Sequence, residues 1–214
     1  MLDYGADGIS VPLNKCKKVF VAFPPTEKNL SCFGQAQGQK AILGRTGSSL
    51  EGGFIALLDL EDCIYLPAGC IHATFTIEGG FLVTKDFTTM DSTAAFARCI
   101  ASGAHKFIEE RHVPDWLGWY LKCLNVALNN RTAIEVIRAW IETQTILEQW
   151  MARDEGWRTE ADRVWTKFLL SGRLTLETCL CGRHSGGKGF SAHFQEEHLG
   201  FTRNKTKKRK ALQK

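Results

Sequence analysis

Two cysteines and two histidines late in the chain carry the strongest metal chemistry in this sequence. Cys179 and Cys181 precede His193 and His198 by about a dozen residues, with Phe190, Phe194 and Leu199 available as a miniature core. Zn(II) takes four nitrogen or sulfur ligands in a tetrahedron, and a cysteine turn followed by a His-x4-His pair on a short helix supplies them. Cys-x-Cys is one residue shorter than the usual spacing, and His184, in the Gly-rich loop between the pairs, is available as an alternative ligand. Without a metal the segment has too few apolar residues to fold, since units below about 40 residues usually need one. A fifth residue of interest, His72, stands alone.

His72 is set in a strand-turn-strand pattern. Ile64 to Leu66 lead into the turn Pro67-Ala68-Gly69, Ala73 to Ile77 run extended, and Gly79-Gly80 turn the chain into a second strand, Phe81 to Phe87. Upstream, Lys18 opens an apolar, β-prone run, Lys18-Val19-Phe20-Val21-Ala22-Phe23, that the pair Pro24-Pro25 stops. An isolated strand histidine is ordinarily satisfied by a backbone partner. The lysine strand shifts that balance.

Together, the two segments resemble the JmjC family of Fe(II) and 2-oxoglutarate dependent oxygenases over roughly residues 1 to 89. In that family a K-x-[WF]-x-x-x-P-P run supplies the lysine that pairs with the distal carboxylate of 2-oxoglutarate, and a P-x-G-x-x-H hairpin supplies the last iron ligand. Lys18 and His72 occupy those positions, and Asp86-Phe87-Thr88-Thr89 closes the unit. The resemblance implies that Asp3 and His72 are iron ligands, and that Ser10 or Thr74 adds a hydrogen bond to the oxoacid. It implies hydroxylation, or demethylation through hydroxylation of an N-methyl group, on a protein substrate of the histone lysine class.

The departure from the family pattern is at the first ligand. An Fe(II) oxygenase site uses two imidazoles and a carboxylate, and in the JmjC family that this chain resembles the first two come as His-x-Asp or His-x-Glu on one strand. Here the counterpart is Met1-Leu2-Asp3, and all six histidines lie at or after position 72. A thioether is too soft to replace the imidazole. His105 and His112 fall in a helix-like stretch outside the barrel segment and are not expected to ligate. A start placed too late, a truncated duplicate and a decayed iron site all give this pattern. Lys18 without its carboxylate partner would be an unpaired charge, so its pocket should hold an anion or stand open to water.

The elements that position these residues follow from composition and periodicity. With 214 residues, 44% apolar and 23% charged, the chain has the composition of a globular protein with a sizeable core. It has no apolar run long enough for a membrane span and no signal-peptide pattern at its start, which predicts a soluble, unsecreted protein. Six of the eight cysteines (Cys16, Cys32, Cys63, Cys70, Cys99, Cys123) are scattered through apolar contexts, as free core thiols are.

Residues 91 to 172 read as four helices. The first is capped by Asp91 or Ser92 and runs to Phe107; the second opens at Pro114; the third spans roughly Thr132 to Ala152; the fourth runs from about Arg158 to Leu170 and stops at Ser171-Gly172. All six tryptophans fall in this half. At helical spacing among Leu and Ile they are expected in the core, not in a cage for methylated lysine.

From Arg203 to Lys214 there are seven basic and no acidic residues, so the first 202 positions carry 20 basic against 23 acidic side chains. That tail is expected to be disordered, and to serve as a nuclear import signal or a phosphate-binding arm for DNA. The expected fold is α+β: a partial double-stranded β-helix, or cupin-like JmjC barrel, over 1–90, a helical bundle over 91–172, a zinc-finger-like segment over 173–202 and the basic tail 203–214. The competing expectation for function is a catalytically silent, zinc-containing nuclear protein that binds DNA or chromatin.

Overall fold

The computed structural model describes residues 6–36, 39–103, 112–130, 133–174, 176–183, 187 and 189–199. They form two compact units, 1–126 and 127–214. The first holds six strands, β1 (Asp7–Leu13), β2 (Lys17–Phe23), β3 (Phe54–Leu58), β4 (Ile64–Leu66), β5 (Ile71–Glu78) and β6 (Phe81–Phe87). They make two antiparallel sheets, β4-β1-β6 and β3-β2-β5.

Strand alternation decides which side chains face inward. In β1 Gly8, Ser10 and Pro12 are buried on one face, with Asp7 also buried at its start, and in β2 Phe20 and Ala22 are buried on the face that also carries Lys18. Phe20, Ala22, Leu58, Ile64, Leu66 and Cys70 form one apolar cluster that joins the two sheets, with Ala56 and Leu82 packed against it. Pro12 is tolerated because β4 pairs only with Gly8 to Ser10, which leaves β1 unpaired on that side at Pro12. The opposite face of β3-β2-β5 carries Ile55, Leu57, Phe75 and Ile77, all exposed.

Between β2 and β3 the sequence reading assigned no element. The structure has helices α1 (Glu27–Gln35) and α2 (Ile42–Thr46) there. Thr26 caps α1 by accepting from the Asn29 amide at 3.2 Å, and the fully buried Asn29 side chain donates to Pro24 O and Glu51 O and accepts from the Glu51 amide, each at 2.9 Å. Leu30 and Phe33 of α1 pack with Leu50, Ile71 and Cys99 in a second cluster. Helix α3 (Ser92–Ala101) contributes Cys99. Helix α4 (Val113–Leu128) follows, with Phe96 of α3 against Tyr120 at 4.7 Å between ring centroids.

A glycine turn holds the strands in place. Gly80 has φ of +147°, and a Cβ there would lie 2.6 Å from Asn14 O and 2.6 Å from the Cys16 Cβ, so the β5–β6 turn sits directly on the β1–β2 loop. Replacing Gly80 by Ala is expected to destabilise the first unit by roughly 1–3 kcal/mol, read as a lower urea midpoint with unchanged slope.

The second unit contains α5 (Ala133–Met151), α6 (Glu155–Leu170) and α7 (Phe190–Glu197). Helix α6 starts three residues earlier than its periodicity predicts, because Asp154 caps it by accepting from the Trp157 amide at 3.0 Å. At the start of α3, Asp91 occupies the cap position without a side-chain hydrogen bond, and Ser92 turns its hydroxyl inward. Trp140, Trp150, Trp157 and Trp165 are buried as core tryptophans, while Trp116 and Trp119 of α4 are only half-buried. No helix among the described residues is long and apolar enough to cross a membrane.

Candidate functional site

Lys18 and His72 lie on paired strands. Ala22 opposes His72, Phe20 opposes Thr74 and Lys18 opposes Thr76 in the β2–β5 register, so all six side chains share the inward face. Lys18 Nζ donates to Thr76 Oγ1 at 2.5 Å and is only half-buried, which keeps its charge within reach of water. Thr74 is exposed on that face. His72 is buried, with Nδ1 3.3 Å from Cys70 O. Ser10 is buried on the other sheet, its hydroxyl 3.0 Å from Thr84 Oγ1. The two motif segments also touch at their turns. Gly69, at φ +81°, brings the 67–69 turn so close to Pro25 that an added Cβ would stand 3.0 Å from the Pro25 Cβ.

Among the described residues, the other candidate donors do not gather around His72. Asp3, and with it Met1, lies outside the described residues, as do His105, His184 and the tail 203–214. His112 is exposed at the start of α4, its Nδ1 3.8 Å from Asp115 Oδ2. Among the described residues no third group of the His, Cys, Asp or Glu type joins His72 in a metal-sized cluster.

Sequence reading missed the residue that anchors the hairpin. Asp7, at the start of β1, is 3% exposed and accepts four hydrogen bonds. Tyr65 Oη at 2.5 Å and the Ala68 amide at 3.2 Å donate to Oδ1, while Thr89 Oγ1 at 2.9 Å and Ser92 Oγ at 2.7 Å donate to Oδ2. Burial raises the carboxyl, but the donors together outweigh it and leave Asp7 below its ordinary value. The same hydrogen bond, followed by burial, pushes Tyr65 up to about 12. One carboxylate thus ties β1, the end of β4, the turn before His72 and the start of α3. The only signal in the sequence was an acidic residue beginning a buried strand.

In the second unit Cys179, Cys181, His193 and His198 come together, with their ligand atoms all within 4.8 Å of one another. Cys179 Sγ is 3.5 Å from His198 Nε2, and Cys181 Sγ is 3.3 Å from His193 Nε2. Helix α7 presents His193, and His198, five positions on, is the residue that ends the helix and joins the set from its C-cap. The set has the number and chemistry of a tetrahedral metal site. Burial raises the Cys179 thiol, with Cys181 alongside. Two thiols side by side, Cys179 buried and Cys181 half-buried, become stable thiolates when a cation stands between them. Burial, then the charges of His193 and Arg183, hold His198 down at about 4, so near neutrality its ring is in the neutral form that ligates.

Three proteins called JmjC domain-containing histone demethylation protein 1 are similar to this chain. That of Debaryomyces hansenii is 30% identical over 101 residues, which cover 42% of this chain and 20% of the relative. That of Saccharomyces cerevisiae is 30% identical over 97 residues (41% and 19%), and that of Kluyveromyces lactis 30% over 92 residues (42% and 19%). The chain therefore spans about a fifth of the length of the curated relatives it matches. No family model matches it. Its mixed α/β fold, with antiparallel sheets, is of the kind that accommodates a cupin-like domain. These three relatives support a JmjC-like region over about two fifths of the chain.

Proposed function

We propose that the chain is a nuclear, histone-directed protein of JmjC type that keeps the 2-oxoglutarate side of an oxygenase site beside an incomplete iron centre. One observation carries this reading: the β2–β5 register that puts Lys18, Thr74, Thr76 and His72 on one inward face. The two sheets joined through Phe20, Ala22, Ile64 and Leu66 support a partial double-stranded β-helix in the first ninety residues. Lys18 has the charge and the half-open setting to receive a carboxylate, with Thr74 beside it as a hydroxyl donor and Ser10 on the facing sheet as a second.

Iron does not fit the donor set of these residues. Asp3 and His72 offer one carboxylate and one imidazole, and the second imidazole has no counterpart, since Met1 stands in its position. Bound at a complete site, Fe(II) would supply the oxidising chemistry for hydroxylation or N-demethylation. What this chain's residues do is narrower: Lys18 and its hydroxyl neighbours hold a dicarboxylate.

Purified chain given Fe(II), 2-oxoglutarate and a histone peptide is expected to form succinate no faster than the protein-free control. It should still bind 2-oxoglutarate, about tenfold or more weakly after Lys18→Ala, by calorimetry. Succinate above background would mean the iron centre is complete. Loss of any Lys18-dependent binding would remove the oxoacid site.

The Cys/His cluster favours a second reading alongside the first, a catalytically silent zinc protein of chromatin. The ligand set fits Zn(II), which takes two thiolates and two imidazoles readily. Contact with DNA would come through the basic residues 203–214, by phosphate attraction that weakens with salt.

A further inference from the structure

Helix α7 is held by more than its ligands, through contacts within the helical unit. Gln144 of α5 accepts from His198 Nδ1 at 2.7 Å through Oε1, and its Nε2 donates to Glu197 O at 3.1 Å and to Glu148 Oε1 at 2.7 Å. Trp140, one turn earlier on α5, donates from Nε1 to His198 O at 3.1 Å. Phe194 packs on Trp165 of α6 at 4.6 Å between centroids, on Phe190 at 5.5 Å and on the His198 ring at 5.1 Å. Cys179, His193 and His198 are buried in this arrangement.

From this geometry we propose that the Cys179–Cys181–His193–His198 site binds one Zn(II) as a clasp fastening α7 and the 179–181 turn onto α5 and α6, with Gln144 as the positioning residue for His198. This rests on the zinc reading above and gives it a role. The chemistry of an imidazole ligand requires its other nitrogen to be occupied. A proton on Nδ1 donated to Gln144 leaves the Nε2 lone pair directed at the cysteines, and such outer partners set both tautomer and ring orientation. The clasp also replaces the free-standing nucleic-acid finger expected from the spacing. The side of α7 facing solvent carries Ser191, Ala192, Glu196 and Glu197, with no basic residue among them, and Arg183 is drawn onto Glu197 at 3.6 Å. An acidic outer face repels phosphate, and the apolar face is already covered by α6.

The test uses the full chain, with Zn(II) and Co(II) as probes. Wild type should carry one zinc by elemental analysis, lose it in Cys181→Ala and His193→Ala, and melt at a lower temperature by helical circular dichroism once chelated. Gln144→Leu should still reach one metal at saturation, with affinity about 10–100-fold weaker. Gln144→Glu combined with Glu148→Gln, which keeps an acceptor for Nδ1–H without setting two carboxylates together, should restore affinity to within a few-fold and recover the tetrahedral Co(II) absorption. Absence of zinc in wild type would overturn the metal reading itself. Zinc bound equally by wild type and Gln144→Leu, or a melt insensitive to chelation, would overturn the clasp while leaving the metal in place. Duplex DNA binding abolished in Cys181→Ala with the helical signal intact would point to a finger instead.

Discussion

Trp165→Ala is expected to lower the stability of the helical unit by about 3–5 kcal/mol, the range for removing a fully buried large aromatic side chain. Trp165 is 0% exposed and meets Trp140 at 5.2 Å, Phe168 at 6.0 Å and Phe194 at 4.6 Å between ring centroids. It therefore joins α5 and α7 through α6, and the void left by Ala cannot be closed by one neighbour shifting. Trp165→Phe should cost far less. It leaves a smaller void and removes an indole N–H that is buried without a hydrogen-bond partner among the described residues. Chemical denaturation followed by helical circular dichroism measures both. Equal losses in the two variants would mean that ring packing is not what stabilises the unit.

Asp7→Asn is expected to cost the first unit about 3 kcal/mol at neutral pH, because an amide turns an NH2 group toward donors that a carboxylate satisfied. The sign with pH follows from the direction of each shift. Asp7 is lowered when folded, so its contribution is present above the ordinary carboxylate value and is lost as pH falls through the folded one. Tyr65 is raised, so its contribution is complete below its ordinary value of 10.0 and is lost as pH rises through about 12. Wild type should therefore weaken on both limbs, near the acid end and again in strong alkali. Asp7→Asn should flatten both, since the two groups share one hydrogen bond. Parallel pH profiles for the two proteins would show that Asp7 is not the linked group.

Local patterns carried the elements well wherever periodicity was long. The apolar stripe ending at Met151 places α5 to within a residue at each end, since nothing in its flanks competes with the 3.6-residue repeat. Boundaries set by one hydrogen bond were less legible. The start of α6 depends on Asp154 reaching the Trp157 amide, a contact that the stripe of Val164, Trp165 and Phe168 does not announce. Helices α1 and α2 escaped because α1 is short and organised around the polar Asn29, whose partners Pro24 and Glu51 bracket it in sequence.

The two sites divide in the same way. Ligand chemistry is written in residue types and spacing, so Cys179, Cys181, His193 and His198 were named from the sequence, and so were Lys18 and His72 on their β-prone runs. The sequence by itself also shows that no histidine precedes His72 among these 214 residues. Register, partners and surroundings were decided by the tertiary structure. That Lys18 faces Thr76, that Asp7 gathers four donors from three elements and that Gln144 holds His198 are contacts across 54 to 85 positions of chain. Such contacts have no local signature. They arise only when burial removes water as the competing partner and leaves each polar group to find its match in the protein.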